Sequence, residues 1–291
     1  DQSVSFEFKL GESILSLGGY YTKTGGSLES SSATLSLNDN TTIASNTAID
    51  FEQLKLNNHT LTLANENTDL QISSDVIMEN PNEFIKTGEA DLTLLSELNI
   101  SDGGVTSTKG TLSFLGGGEL KEDGIIDFSG STWVTGSSLY KLGGTYVFYQ
   151  TNLRLGKDTI LKSNTALDIV LLDLNDFTLT LEGVDSDLTV EKDLTIDEST
   201  EGISIVEADL ILKGALTMTD GLLQSAGGSI ILKSALTMSG GLLQSTGGSI
   251  KFASNQTSRL SGNAVMMLDN TLITSDDGTG IAIIEIDGEP D

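Results

Sequence analysis

The residues of this chain that could do chemistry are carboxylates, one imidazole and a bunch of aromatic rings. Asp173, Asp176, Asp185, Asp187, Asp193 and Asp197 crowd one stretch, and Asp276 and Asp277 adjoin each other. Paired carboxylates act as acid, base or nucleophile in glycoside cleavage, and as hard oxygen ligands they suit calcium. A polysaccharide lyase or hydrolase would need two or three of them on one exposed face with a His, Arg or Lys partner. That supply is thin. His59 is the single histidine, in NNHTLTL, and the arginines are Arg154 and Arg259. The chain has no cysteine, which excludes thiol nucleophiles, disulfides and thiolate metal sites.

Abundant carboxylates coincide by chance, and a comparison inside the chain offers another reason for these. Asp187 is matched 118 residues earlier by Asp69, and Asp185 by Asn67, as in a repeated turn. His59 is matched by Phe177 in NDFTLTL, so a packing or turn position accounts for it better than catalysis. No catalytic residue, metal ligand or cofactor is therefore assigned, and calcium enters only as a weak site between neighbouring loops. The aromatic rings remain. Phe128, Trp133, Tyr140, Tyr146, Phe148 and Tyr149 lie close together in a chain that is only 5% aromatic. Sugars stack on exposed rings, which makes Trp133, Tyr140, Tyr146 and Tyr149 the candidate ligand-binding residues. The alternative is that irregular coils fill a wider core with larger side chains.

What must position these residues is a repeat. GALTMTDGLLQSAGGSI at 214–230 recurs as SALTMSGGLLQSTGGSI at 234–250, with four changes between small or turn-compatible residues. A longer period lies over it. Shifted by 118 residues, the chain matches itself without a gap from Lys23 to Phe114: Gly25 and Gly26 meet Gly143 and Gly144, SNTA meets SNTA, TLTL meets TLTL, and EADL meets EADL. Beyond Phe114 the best offset is about 138, so one twenty-residue unit has been added in the second half. A structure in which each unit touches only its neighbours accepts such an addition.

Within 229–248 three apolar runs, SIILKS, ALTMSG and GLLQSTGG, each end in small or glycine residues. Three strands and three turns per unit make an all-β parallel β-helix, a β-solenoid of about 20 residues per coil. Alternation points Ile230, Leu232, Leu236, Met238 and Leu243 inward, and the pairs 227/228 and 247/248 turn corners that need positive φ. GGGELKEDG at 116–124 is expected as a long turn or outward loop. Roughly 14 coils stepping by about 4.8 Å would give a rod of about 65 to 70 Å. The expected organisation is an N-terminal edge at 1–22, a first large repeat of about six coils at 23–140, and a second at 141–291 carrying the extra coil 229–248.

The 291 residues contain 32 Gly but only 2 Pro, which excludes a Pro/Gly-rich disordered tract. A net charge of −27 spread along the chain repels nucleic acid and anionic membranes, and no stretch reaches the roughly 18 apolar residues of a membrane span. The start at Asp1 and the end at Glu289, Pro290 and Asp291 read as edges cut from a longer polypeptide, so that an export signal would lie outside it. Sequons at Asn40, Asn58, Asn99 and Asn255 are no more than an Asn/Ser/Thr-rich chain would show.

LTM-like and LTL-like strands, GG corners and a period near 20 in an acidic, cysteine-free chain resemble the right-handed β-helix of filamentous-hemagglutinin-type adhesins and autotransporter passengers. The resemblance implies secretion or cell-surface location and a structural or adhesive role without catalysis, as a stalk or extracellular fibre. Its partners would be neighbouring repeats, other copies of the protein, surface glycans or other cells, with no nucleic acid and no membrane insertion of this segment. The toxin calcium nonapeptide GGxGxDxUx is absent. The alternatives are a carbohydrate-binding or carbohydrate-active β-helix and, third, ice binding. For the last, Thr60/Thr62 and Thr178/Thr180 stand 118 residues apart instead of in adjacent coils.

Overall fold

The computed structural model describes residues 7–24, 27–254, 256–276 and 283–287. Gly25, Gly26, Asn255, Asp277 and the chain ends at Asp1 and Glu289 to Asp291 lie outside them. The chain is an all-β parallel β-solenoid of about 12 coils, repeating about every 21 residues, with no helix among the described residues. It divides into two compact units, Asp1–Thr151 and Asn152–Asp291.

A coil is three short strands separated by tight turns. In the first unit Thr60–Leu63, Leu70–Ile72 and Val76–Met78 make one coil, and Phe84–Gly88, Leu92–Leu94 and Leu98–Ile100 make the next. Each strand pairs in parallel with its counterpart one coil on: Ile85 with Leu61, Leu92 with Leu70, Leu98 with Val76. The second unit repeats this. Leu188, Leu210, Ile230 and Ile250 are successive register partners in one sheet, and Leu194, Leu216 and Leu236 in another. All of these are buried.

The short strands follow from the alternation. In Leu216–Met218 the outer two residues are buried and Thr217 is half-exposed, and the same in-out-in pattern recurs along the array. Each buried Leu or Ile contributes on the order of 1.5 to 3 kcal/mol. The expected inward residues Ile230, Leu232, Leu236, Met238 and Leu243 are all in the core.

Two expectations need correction. The expected 14 spread all 291 residues over twenty-residue coils, whereas about 12 coils form and they are unequal: strands of one sheet begin at Thr60, Phe84, Gly104 and Ile125, a spacing of 20 to 24 residues. The longest step holds the turn Glu79-Asn80-Pro81-Asn82. Nor is 116–124 an outward loop. Gly118–Leu120 is a strand paired with Leu98–Ile100 on one side and Leu139–Lys141 on the other, and Leu120 is fully buried. The glycines are there for close approach: a Cβ on Gly116 would lie 2.2 Å from the Ser96 carbonyl carbon, and one on Gly118 only 1.9 Å from the Leu98 oxygen.

The corner pairs divide the work. Gly227 and Gly247 have φ of 149° and 80°, which L side chains rarely adopt. Gly228 and Gly248 do not, but a Cβ on them would sit 1.6 Å from the Ala208 oxygen and 2.0 Å from the Gly228 oxygen.

Candidate functional site

The four aromatic candidates do not share a surface. Trp133 is fully buried and stacks on Phe128 with ring centres 4.8 Å apart; Phe128 in turn lies parallel to Phe148 at 5.2 Å. Tyr146 packs edge-on against Phe128 and Phe148. Burial drives its phenol pKa far above the ordinary 10.0, and neither its hydroxyl nor the Trp133 indole N–H has a hydrogen-bond partner. Phe128 and Trp133 lie in the core of the first unit with the half-buried Tyr146 and Phe148 packed on them, and the buried Lys141 places its Nζ 5.8 Å from the Tyr146 ring centre, its pKa lowered by burial. Tyr149 is 65% exposed, and Tyr140 alone stands half-exposed on the outward face of a strand.

Three of the candidate carboxylates, Asp187, Asp193 and Asp276, accept backbone N–H groups. Asp69 accepts the Asp91 N–H at 3.0 Å, and its duplicate Asp187 accepts the Asp209 N–H at 2.7 Å. Asp91 and Asp209 then accept from Thr111 and Ser229 of the following coil. Asp193 accepts the Ala215 N–H at 2.8 Å, and Asp173 pairs with Arg154. Asp276 takes both the N–H and the hydroxyl of Ser254 and lies 3.3 Å from Lys233; burial opposes its charge, but these donors together hold its pKa below the usual 3.8. Among the described residues no three His, Cys, Asp or Glu side chains gather into a set able to hold a metal ion. His59 is half-buried at the end of a turn, its N–H donating to the Leu56 oxygen, and Phe177 donates to Leu174 in the same way.

The polar residues with the most work to do were not singled out from the sequence. Glu83 and Glu201, only 6% and 7% exposed, stand 118 residues apart. Glu83 accepts from the Asn58 N–H of the preceding coil at 3.0 Å and from Glu79 and Asn80 N–H at 2.8 and 3.1 Å. Glu201 accepts from Asp176, Asp197 and Glu198 in the same pattern. Desolvation raises the Glu83 pKa, but the three backbone donors together with the Asn80 side chain outweigh it and hold the group below 4.5. They also close unusual turns. Asn57 and Asn58 both have positive φ, as do Asn175 and Asp176. The signal was present as identity at one more duplicated position.

Other pairs repeat the lesson. Ser45 and Ser163 donate N–H to the buried hydroxyls of Thr68 and Ser186, and Asn57 and Asn175 each donate to a carbonyl of the coil before, Leu37 and Leu155. For ice binding, Thr60 and Thr62 adjoin Phe84 and Lys86, and Thr178 and Thr180 adjoin Gly202 and Ser204; Thr62 meets Thr42 on its other side and Thr195, Thr217 and Thr237 form a single rank, but neither Thr-x-Thr pair meets a second such pair.

Two adjoining depressions lie on the first unit. Ile77, Asn99, Glu119 and Tyr140 are register partners on successive strands and all point outward, because their neighbours on each strand, such as Val76 and Met78 or Leu98 and Ile100, point in. They line a groove of about 470 Å³ with Glu97 and Lys121 at its side. Glu97 accepts from the Asn99 amide, and Glu119 pairs with Lys121. A second depression of about 580 Å³ adjoins it at Ile77.

The chain was compared with family models, with curated proteins and with solved structures, and none matches. Its class is thus fixed by its own geometry, as a parallel β-solenoid repeat protein.

Proposed function

We propose that the chain is a non-catalytic structural or adhesive segment of a secreted or cell-surface protein, a length of β-solenoid that holds a surface away from its anchor or forms part of an extracellular fibre. The observation that supports this reading is where the duplicated polar residues have gone. Carboxylates, hydroxyls and amides that recur at 118 residues are spent on closing turns and on linking each coil to the next, as Glu83 and Glu201 or Asp69 and Asp187 are. Selection that keeps such groups twice keeps an array together. Reaction chemistry would instead leave a carboxylate pair with a cationic partner on one open face.

The experiment is surface labelling. Antibody raised against this chain, applied to intact cells that make the parent protein, should decorate the exterior without permeabilisation. Labelling that appears only after permeabilisation would overturn the reading.

A further inference from the structure

We infer that the groove over Val76–Met78, Leu98–Ile100, Gly118–Leu120 and Leu139–Lys141 binds an unbranched, uncharged oligosaccharide lying along the stack of coils. Parallel strands step by about 4.8 Å, close to the length of one sugar ring, so Ile77, Asn99, Glu119 and Tyr140 offer one side chain per ring. Their order suits a sugar chain. Apolar surface stands at both ends, with Ile77 59% exposed and the Tyr140 ring half-exposed, while the Asn99 amide and the Glu119 carboxylate lie between. Sugars present C–H faces to the first and hydroxyls to the second. The strands beneath are held by fully buried neighbours, so the row is rigid before any ligand arrives.

Charge selects the class. Glu79, Glu97 and Glu119 line the groove against one lysine, Lys121, already paired with Glu119. Uronates and phosphates are repelled; hydroxyl donors are not.

The duplication supplies a control inside the molecule. At the matching positions the second unit carries Thr195 for Ile77, Ala215 for Glu97 and Thr217 for Asn99, and Thr195, Thr217 and Thr237 are register partners there. Short side chains suffice for the fold at these places. The first unit instead carries an aliphatic group and an amide in the row and a carboxylate at its side, which the solenoid itself does not require. This inference goes beyond the structural role and stands whether or not the parent protein reaches the cell surface.

Isothermal titration of the intact chain with neutral oligomers of glucose, xylose and N-acetylglucosamine, and with oligogalacturonate, tests it. Saturable binding of a neutral oligomer and none of oligogalacturonate is expected. The triple variant Ile77→Thr, Glu97→Ala, Asn99→Thr borrows residues the second unit already accepts, so it should keep its circular dichroism and melting midpoint while losing affinity by about tenfold or more. Tyr140→Ala should weaken binding likewise. Absence of binding to every neutral oligomer, equal binding of oligogalacturonate, or undiminished binding by the folded triple variant would each overturn the proposal.

Discussion

At the scale of single residues, Glu83 and the corner glycines show how little freedom the coils leave. The three backbone donors on the Glu83 carboxylate favour its charged form. Its folded pKa is depressed, so its contribution is fully present above the ordinary 4.5 and is lost as the pH falls through the lower folded value. Glu83→Gln leaves one N–H facing an amide donor, a loss of about 1 to 3 kcal/mol near neutrality. Urea unfolding at pH 7 and pH 3 checks both parts: the gap between wild type and variant should be wide at pH 7 and shrink at pH 3. The glycines separate strain from collision. Gly247→Ala meets no atom within 4 Å and bears only the positive-φ cost of about 1 to 2 kcal/mol. Gly228→Ala drives a Cβ into the Ala208 oxygen, and its melting midpoint should fall further than that of Gly247→Ala. Equal losses would show that the backbone gives way at 228.

The element that matters is the coil. Ser229 to Gly248 is one full circuit, since Ser229 pairs with Ser249, Leu223 with Leu243 and Thr217 with Thr237. Removing 229–248 joins Gly228 to Ser249, the residue that takes Ser229's place in register. The deleted chain should unfold cooperatively with a urea m-value smaller in proportion to the surface removed, with circular dichroism per residue unchanged. Removing only 229–238 takes out part of a circuit, misplaces every later strand, and should aggregate. If both deletions behave alike, the coil is not the unit of stability. Only the position of the addition was visible in the sequence. Unequal turns, such as Glu79 to Asn82, were not, because turn length leaves no periodic trace.

Across the whole molecule the charge of −27 dominates. The described ion pairs are mostly exposed, as Lys9 with Glu29 and Lys109 with Glu89, and each is worth little. Repulsion between coils is therefore screened chiefly by salt. Raising NaCl from 10 to 150 mM shortens the screening length from about 30 to about 8 Å and should raise the melting midpoint by about 2 to 4 °C, near 1 kcal/mol. Calcium chloride at equal ionic strength should act the same, because Asp187, Asp193 and Asp276 already accept backbone N–H bonds. A clearly larger rise with calcium would reveal specific cation sites.

The sequence by itself determined the fold class, the two nested periods, and the inward residues of the doubled coil, Ile230, Leu232, Leu236, Met238 and Leu243. Alternation over two or three residues and a repeat near twenty are local facts, and burial of one Leu per strand face follows from them directly. Tertiary structure decided what the polar residues do. Asp187 resembles a ligand until Asp209 is seen to donate to it, and Glu83 looks like surface charge until Asn58, Glu79 and Asn80 converge on it. It separated the aromatic candidates as well, turning Trp133 and Tyr146 inward and leaving Tyr140 beside Ile77, Asn99 and Glu119. The reason is geometric. Neighbours across coils are 19 to 26 residues apart in the chain, and the exact register that brings two side chains together depends on the length of every turn between them.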